Sequence, residues 1–234
     1  MNTNSISEYC NFSPEGRLRQ IEYALQAIEI GCTTIGIKSD KGIVIVTEKK
    51  INSNLIENRN FENLINLSKS VVCCASGLTS DSRLCIQKIR NFLTNSSFLF
   101  KETISIENCA KKLGGLILNV TPGENKEFHI NRPLGVAFLL CGIDHTGIHL
   151  FSIDSTGNSD EKQIVSLGNG NQDAILITRE GFRKKMNLVE NKNLAIKSMK
   201  MITENKTILK NIELCLLDEK DEKFSFFQIT RKKL

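Results

Sequence analysis

The chain has no tryptophan, two tyrosines and three histidines among 234 residues. Each shortage removes a class of function. Binding of single-stranded nucleic acid combines cationic side chains with aromatic ones on which bases stack. Here the basic clusters Arg183-Lys184-Lys185 and Arg231-Lys232-Lys233 have no interleaved aromatics, and the net charge is only +5. They read as solvated helix ends and a charged tail, so no nucleic-acid partner is expected. A membrane helix needs about 18 successive apolar residues. The longest candidate, Leu134 to Ile143, is short and contains Gly135 and Gly142, so no membrane partner is expected. Met1-Asn2-Thr3-Asn4-Ser5 lacks the basic and apolar regions of a secretory signal, which makes an intracellular location the expectation.

Metal and disulfide chemistry are also poorly provided for. The eight cysteines include no Cys-x-x-Cys pair, and the histidines do not cluster with them. His145 and His149 are spaced as on one helix face, but Gly147 between them marks a turn. Neither a metal nor a cofactor is expected. Cys32, Cys73, Cys74, Cys85, Cys109, Cys141 and Cys215 lie in or beside apolar segments, where a free thiol behaves as a small hydrophobe.

What the chain does have is a composition of 40% apolar and 24% charged residues, enough for one large domain with a substantial core. It opens on Phe12-Ser13-Pro14-Glu15-Gly16-Arg17-Leu18-Arg19-Gln20-Ile21-Glu22-Tyr23. Ser13 reads as an N-cap, Pro14 as a first-turn residue and Glu15 as an acid near the positive end of the helix dipole. Leu18, Ile21, Leu25 and Ile28 recur at helical spacing, which predicts an amphipathic helix ending near Gly31.

Short β-branched runs follow. Thr33 to Lys38 and Gly42 to Glu48 flank a turn-rich tetrad and predict a hairpin; Leu64 to Leu67 and Val71 to Ala75 predict a second strand pair. Helical patterns cover 80–98 and 105–120, the latter interrupted by Gly114-Gly115. Strands return at Leu134 to Cys141, His149 to Ile153 and Gln163 to Leu167, then helices at 172–186 and 190–206. Ile212 to Leu217 and Phe224 to Ile229 predict a closing strand pair. Antiparallel hairpins alternating with helix pairs predict an α+β fold with sheet packed on sheet and helices outside. No composition break divides the chain, so a single domain is expected over 1–234.

The opening string closely resembles the N-terminal signature of proteasome alpha subunits, and the resemblance extends over nearly the whole chain. Gly31-Cys32-Thr33-Thr34-Ile35-Gly36-Ile37 is similar to the family's first strand, and Glu48-Lys49-Lys50 to the segment closing the hairpin. Cys74-Ala75-Ser76-Gly77-Leu78 with Asp81, then Arg132-Pro133-Leu134-Gly135-Val136-Ala137, track further family motifs in order. So do Gly142-Ile143-Asp144, Gly147, Leu150, Asp154, Gly157 and Ser166-Leu167-Gly168. Asn211-Ile212-Glu213-Leu214 most resembles the alpha type-5 subunits. The resemblance implies a four-layer αββα sandwich of two antiparallel sheets, the N-terminal-nucleophile hydrolase fold. It implies a tail over 1–11 that gates a pore, an N-terminal helix over 12–30 and a sandwich over 31–234. It also implies a place in the outer ring of the core particle, in the cytoplasm and nucleus, serving ubiquitin-dependent degradation. The implied partners are other alpha subunits, beta subunits, and regulatory particles or activators. Gate and ring-assembly roles are implied for Tyr9, Phe12, Pro14, Gly16, Arg17, Gln20 and Tyr23.

The same fold carries proteolysis in beta subunits, through an N-terminal threonine freed by processing. Alignment of Thr33-Thr34-Ile35-Gly36 with the corresponding beta strand places Cys32 in the nucleophile position. Self-cleavage after Gly31 would make the chain an N-terminal-nucleophile amidohydrolase. Against this, cleavage would discard the amphipathic helix, and no lysine lies between Ile51 and Ser68 to activate a nucleophile. Glu48 matches the acidic position, but alone it raises a thiol pKa. The expectation is a non-catalytic subunit with Cys32 as a structural residue.

The sequence also departs from the family. Ser7-Glu8-Tyr9 runs through Cys10-Asn11 straight into Phe12, without the usual Tyr-Asp-Arg. Asn63 stands where a pocket lysine often receives an activator's carboxylate, which predicts a degenerate activator pocket. The sequence reaches Arg231-Lys232-Lys233-Leu234 where many relatives continue into an acidic helix.

Overall fold

A computed structural model describes residues 13–49, 63–118, 132–202, 212–218 and 224–229 of the chain. Hydrophobic periodicity dictates the architecture. In β1 (Thr34–Ser39) and β2 (Gly42–Glu48) burial is nearly continuous, the pattern of strands covered on both faces. Ile43 and Ile45 point one way, into a core shared with the second sheet; Val44 and Val46 point the other way, against helices. The first sheet has the order β10-β9-β2-β1-β8, with β8 at Ile164–Leu167, β9 at Ile212–Asp218 and β10 at Phe224–Ile229.

The second sheet has the order β3-β4-β5-β6-β7. Its strands are β3 (Leu64–Ser68), β4 (Val71–Gly77), β5 (Val136–Asp144), β6 (Gly147–Ile153) and β7 (Ser159–Glu161). Every strand pairing among the described residues is antiparallel. Along β5, Ala137, Leu139 and Cys141 enter the inter-sheet core, while Val136, Phe138 and Leu140 face a separate core under two helices.

Those helices are α2 (Thr79–Phe100) and α3 (Ile106–Leu118); α4 (Asn171–Gly181) and α5 (Leu188–Ile202) cover the first sheet. The layers therefore run α4/α5, first sheet, second sheet, α2/α3, which is the αββα sandwich. The remaining described helix, α1 (Arg19–Glu29), packs on β4 and β5 at one end of the sandwich.

Three expectations need correction. Ser13 does not cap α1 and Pro14 is not in its first turn. Residues 13–16 form a separate turn in which the Gly16 amide donates to the Ser13 carbonyl (2.8 Å), and the Ser13 hydroxyl accepts from the Arg17 amide (3.0 Å). Gly16 takes φ +79°, a left-handed conformation that ends any helix begun at Ser13, and α1 restarts after Leu18. Gly114-Gly115 does not interrupt α3. A side chain at Gly114 would meet the Gly157 carbonyl at 2.4 Å, so this glycine serves close packing of helix on loop. Finally, the structure adds β7, which apolar alternation does not predict because Ser159-Asp160-Glu161 carries no apolar residue.

Candidate functional site

The N-terminal helix has little core of its own. α1 buries only Ala24 and Ile28, whereas the thirteen-residue α3 buries seven residues. Its outer face presents Tyr23 (61% exposed) and Leu25, and the chain leaves it through Ile30 (77% exposed). Leu25, expected on the buried stripe, is thus turned outward, and Ala24 takes the inward place. Pro14, Gly16 and Arg17 are exposed on the preceding turn, and Gln20 is half-buried at the helix start. Arg17 lies 3.9 Å from Glu22, an exposed pair of little energetic weight. Tyr9 and Phe12 lie outside the described residues.

A set of close contacts fixes the passage from α1 into β1. A side chain at Gly31 would meet the Ser76 hydroxyl at 2.2 Å and the Gly77 amide nitrogen at 2.5 Å. The Ser76 hydroxyl lies 3.1 Å from the Cys32 carbonyl and 3.3 Å from the Ile28 carbonyl, so its single proton serves the end of the helix and the start of the strand. Gly168, at φ +84°, approaches so closely that a side chain there would meet the Cys32 carbonyl at 2.2 Å. The Thr33 hydroxyl faces the Asn169 carbonyl (3.0 Å) and Glu48 (3.4 Å). Cys32 is half-buried in this frame.

The nearest buried cation in sequence is already engaged. Lys49 lies 3.3 Å from Glu213, both side chains about 95% buried. Glu213 also accepts the backbone amides of Asn63 (3.0 Å) and Leu64 (3.4 Å), and the Asn63 side-chain amide donates to the Glu48 carbonyl (3.0 Å). Asn63 thus spends its amide on its own chain. Sequence reasoning placed Glu213 only in a resemblance motif and Lys49 only in a hairpin end. The available signal was a glutamate in an otherwise apolar strand, Ile212-Glu213-Leu214-Cys215-Leu216-Leu217, which requires a buried partner.

Two further motifs come together beneath α1. Asp81, at the start of α2, accepts both Arg132 guanidinium nitrogens at 2.8 Å and the Gly135 amide at 3.1 Å. Burial pushes its carboxyl up, but the hydrogen bonds from Arg132 and Gly135 outweigh that and hold it below the usual carboxylate range. This fastens the entrances of α2 and β5 to each other.

The other described thiols offer no nucleophile. Burial pushes Cys74, Cys85, Cys109 and Cys215 up to about 12, and Cys73 and Cys141 well above the usual thiol range. At neutral pH they remain protonated and inert.

Comparison with known proteins identifies the assembly of parts. The family model described as "Proteasome subunit" matches residues 28–217. The chain belongs to the proteasome subunit family. Residues 12–27 match the N-terminal signature of A-type proteasome subunits, so the turn and helix described above are what mark the chain as alpha-type. It is 33% identical to the alpha type-5 proteasome subunit of Dictyostelium discoideum over 219 residues, covering 92% of this chain and 89% of the relative. It is 36% identical to the probable alpha type-5 proteasome subunit of Schizosaccharomyces pombe over 204 residues (87% and 83%). An archaeal relative, the alpha-type proteasome subunit of Methanopyrus kandleri, is 30% identical over 223 residues (95% and 87%).

Proposed function

We propose that this proteasome chain of alpha type is a non-catalytic part of the outer ring of the core particle. In this reading it assembles with neighbouring alpha subunits and with beta subunits, and contributes to substrate-entrance gating and regulator docking. Its setting is ubiquitin-dependent protein degradation in the cytoplasm and nucleus. The observation that carries the proposal is the lock between α1 and β1. Gly31 is packed against Ser76, the Cys32 carbonyl is hydrogen-bonded, and α1 sits on the sandwich with Tyr23 and Leu25 facing outward. A retained helix that leaves Tyr23 and Leu25 exposed among polar residues suits packing against a neighbour. A propeptide awaiting removal has no need of it.

Two finer features follow within this proposal. Asn63 supplies no charge, and its amide is donated to Glu48, which supports weak or absent docking of an activator carboxylate beside Asn63. The short approach to Phe12, without Asp-Arg, supports a weak contribution to gating.

Purification from the source organism tests the central reading. The native mass is expected to be that of a very large mixed-subunit assembly, and the intact mass of this chain is expected near 26.2 kDa. A chain shortened by its first 31 residues, with Cys32 as its new N-terminus, would instead support a self-processing amidohydrolase. A monomer would support a free-standing binding module. Crosslinking of an activator tail to Asn63 would overturn the docking reading.

A further inference from the structure

Away from α1, the β5–β6 turn and edge strand β7 gather titratable groups at a cavity of about 690 Å³ lined also by Phe92, Phe100 and Phe151. His149 of β6 is central. Its Nδ1 lies 2.9 Å from Glu161 Oε1, and its Nε2 lies 2.7 Å from Thr146 Oγ1 and 3.3 Å from Asp144 Oδ1. Thr146 Oγ1 is 2.5 Å from Asp144 Oδ1. The other oxygen of Asp144 accepts the Ile106 amide at the start of α3 (3.0 Å), and Lys38 Nζ of β1 lies 2.7 Å from Glu161 Oε1.

Counting protons decides the state of this cluster. Burial pushes the Asp144 carboxyl up, but Thr146, the Ile106 amide and His149 outweigh it and hold it low; Lys38 and His149 do the same for Glu161. Both are therefore carboxylates, which only accept. The single Thr146 hydroxyl proton goes to Asp144 at the shorter contact. Nε2 must then donate to the Thr146 oxygen, and Nδ1 must donate to Glu161. A ring that donates from both nitrogens is an imidazolium. A neutral ring leaves one of these short contacts without a proton. Thr146, His149 and Glu161 do have the spacing of nucleophile, base and orienter. A ring already donating toward the hydroxyl cannot take its proton, so the line does not work as a relay.

We propose that His149 is a proton-dependent clasp: as an imidazolium it fastens β7 to the β5–β6 turn, and it releases them when the ring becomes neutral. The groups facing it are Asp144 and His145 from the turn, Glu161 from β7 and Lys38 from β1. Glu102 and Glu107 lie across the cavity, the latter paired with Lys111 at 2.6 Å, and Asp160 and Lys162 pair with each other at 3.2 Å beside β7. Carboxylates outnumber the fixed cations that reach the ring. Asp144 and Glu161, whose carboxyls are held low, lose their contribution to the clasp as pH falls through their folded-state titration, and loss of the ring proton removes one of its two donors as pH rises. It acts where the chain leaves the second sheet at β7 and joins the first at β8, so its release loosens the joint between the sheets.

The test uses the full chain with isotope-labelled histidine. Ring-nitrogen shifts are expected to show both His149 nitrogens protonated wherever amide exchange shows β7 held to the turn. Glu161→Gln, which replaces the acceptor of Nδ1, should uncouple the two readouts. Amide exchange over 159–163, corrected for its intrinsic pH dependence, should quicken about tenfold as His149 loses its proton and be flat in His149→Gln. A ring singly protonated while β7 is held, or identical exchange profiles in wild type and His149→Gln, would overturn the proposal. If His149→Gln does not fold, the wild-type nitrogen shifts and Glu161→Gln decide the matter.

Discussion

Lys101 is the one non-glycine residue at positive φ (54°) among the described residues, and it ends α2 in the left-handed conformation. A side chain there costs about 1 kcal/mol relative to glycine. Lys101→Gly is therefore expected to stabilise the chain by about that amount, read as a rise in the urea midpoint. Asp81 gives a pH-dependent prediction. Its carboxyl is held low in the folded state, so the unfolded chain binds more protons in acid, and stability falls as pH drops through the folded titration. Asp81→Asn should flatten that acid limb and cost about 2 kcal/mol at neutral pH, because the charge-assisted bonds to Arg132 are lost. At this scale the sequence was partly legible. Cysteines in apolar runs announced themselves as buried, and six are. The partners of Glu213 and Asp81 were not legible, since pairing between residues distant in sequence depends on register that no local pattern encodes.

Elements were read by period, and period served well where one face of each element meets a core. It failed where chemistry other than burial ends an element. Ser13 followed by Pro14 has the composition of a helix start, yet Gly16 makes it a turn. The same reading put Leu25 inside α1 because a four-residue stripe fits Leu18, Ile21, Leu25 and Ile28, whereas the close seat on β4 and β5 admits the smaller Ala24. Gly31 tests that seat. Gly31→Val would drive a side chain into Ser76 and the Gly77 backbone, and should destabilise the chain by about 2–3 kcal/mol. Limited proteolysis should show cleavage within α1 before the sandwich is cut; equal resistance of both would show that α1 is not seated through this contact. The tie between β2 and β9 is tested at Lys49. Lys49→Met leaves the buried Glu213 without its ammonium partner and is expected to cost about 3 kcal/mol. Lys49→Met with Glu213→Gln should recover much of that loss, as measured by a double-mutant cycle.

At the level of the whole molecule, strands apolar on both faces require a layer on each side, and that demand forces four layers from the sequence. The sheet order was not legible, because strands that are neighbours in space, β2 and β9 for example, lie far apart in the chain. The candidate site divided the same way. Its helix and its glycines stood in the sequence, but the lock between them required Ser76 from a distant strand. The buried thiols are likewise distributed by layer. Cys73, Cys85 and Cys109 sit in the core beneath α2 and α3; Cys74, Cys141 and Cys215 sit between the sheets. The two sets are chemical clocks for separate layers. Under a pulse of maleimide, the order in which they are alkylated would record whether the helical cover lifts before the sheets part, with no label engineered into the chain.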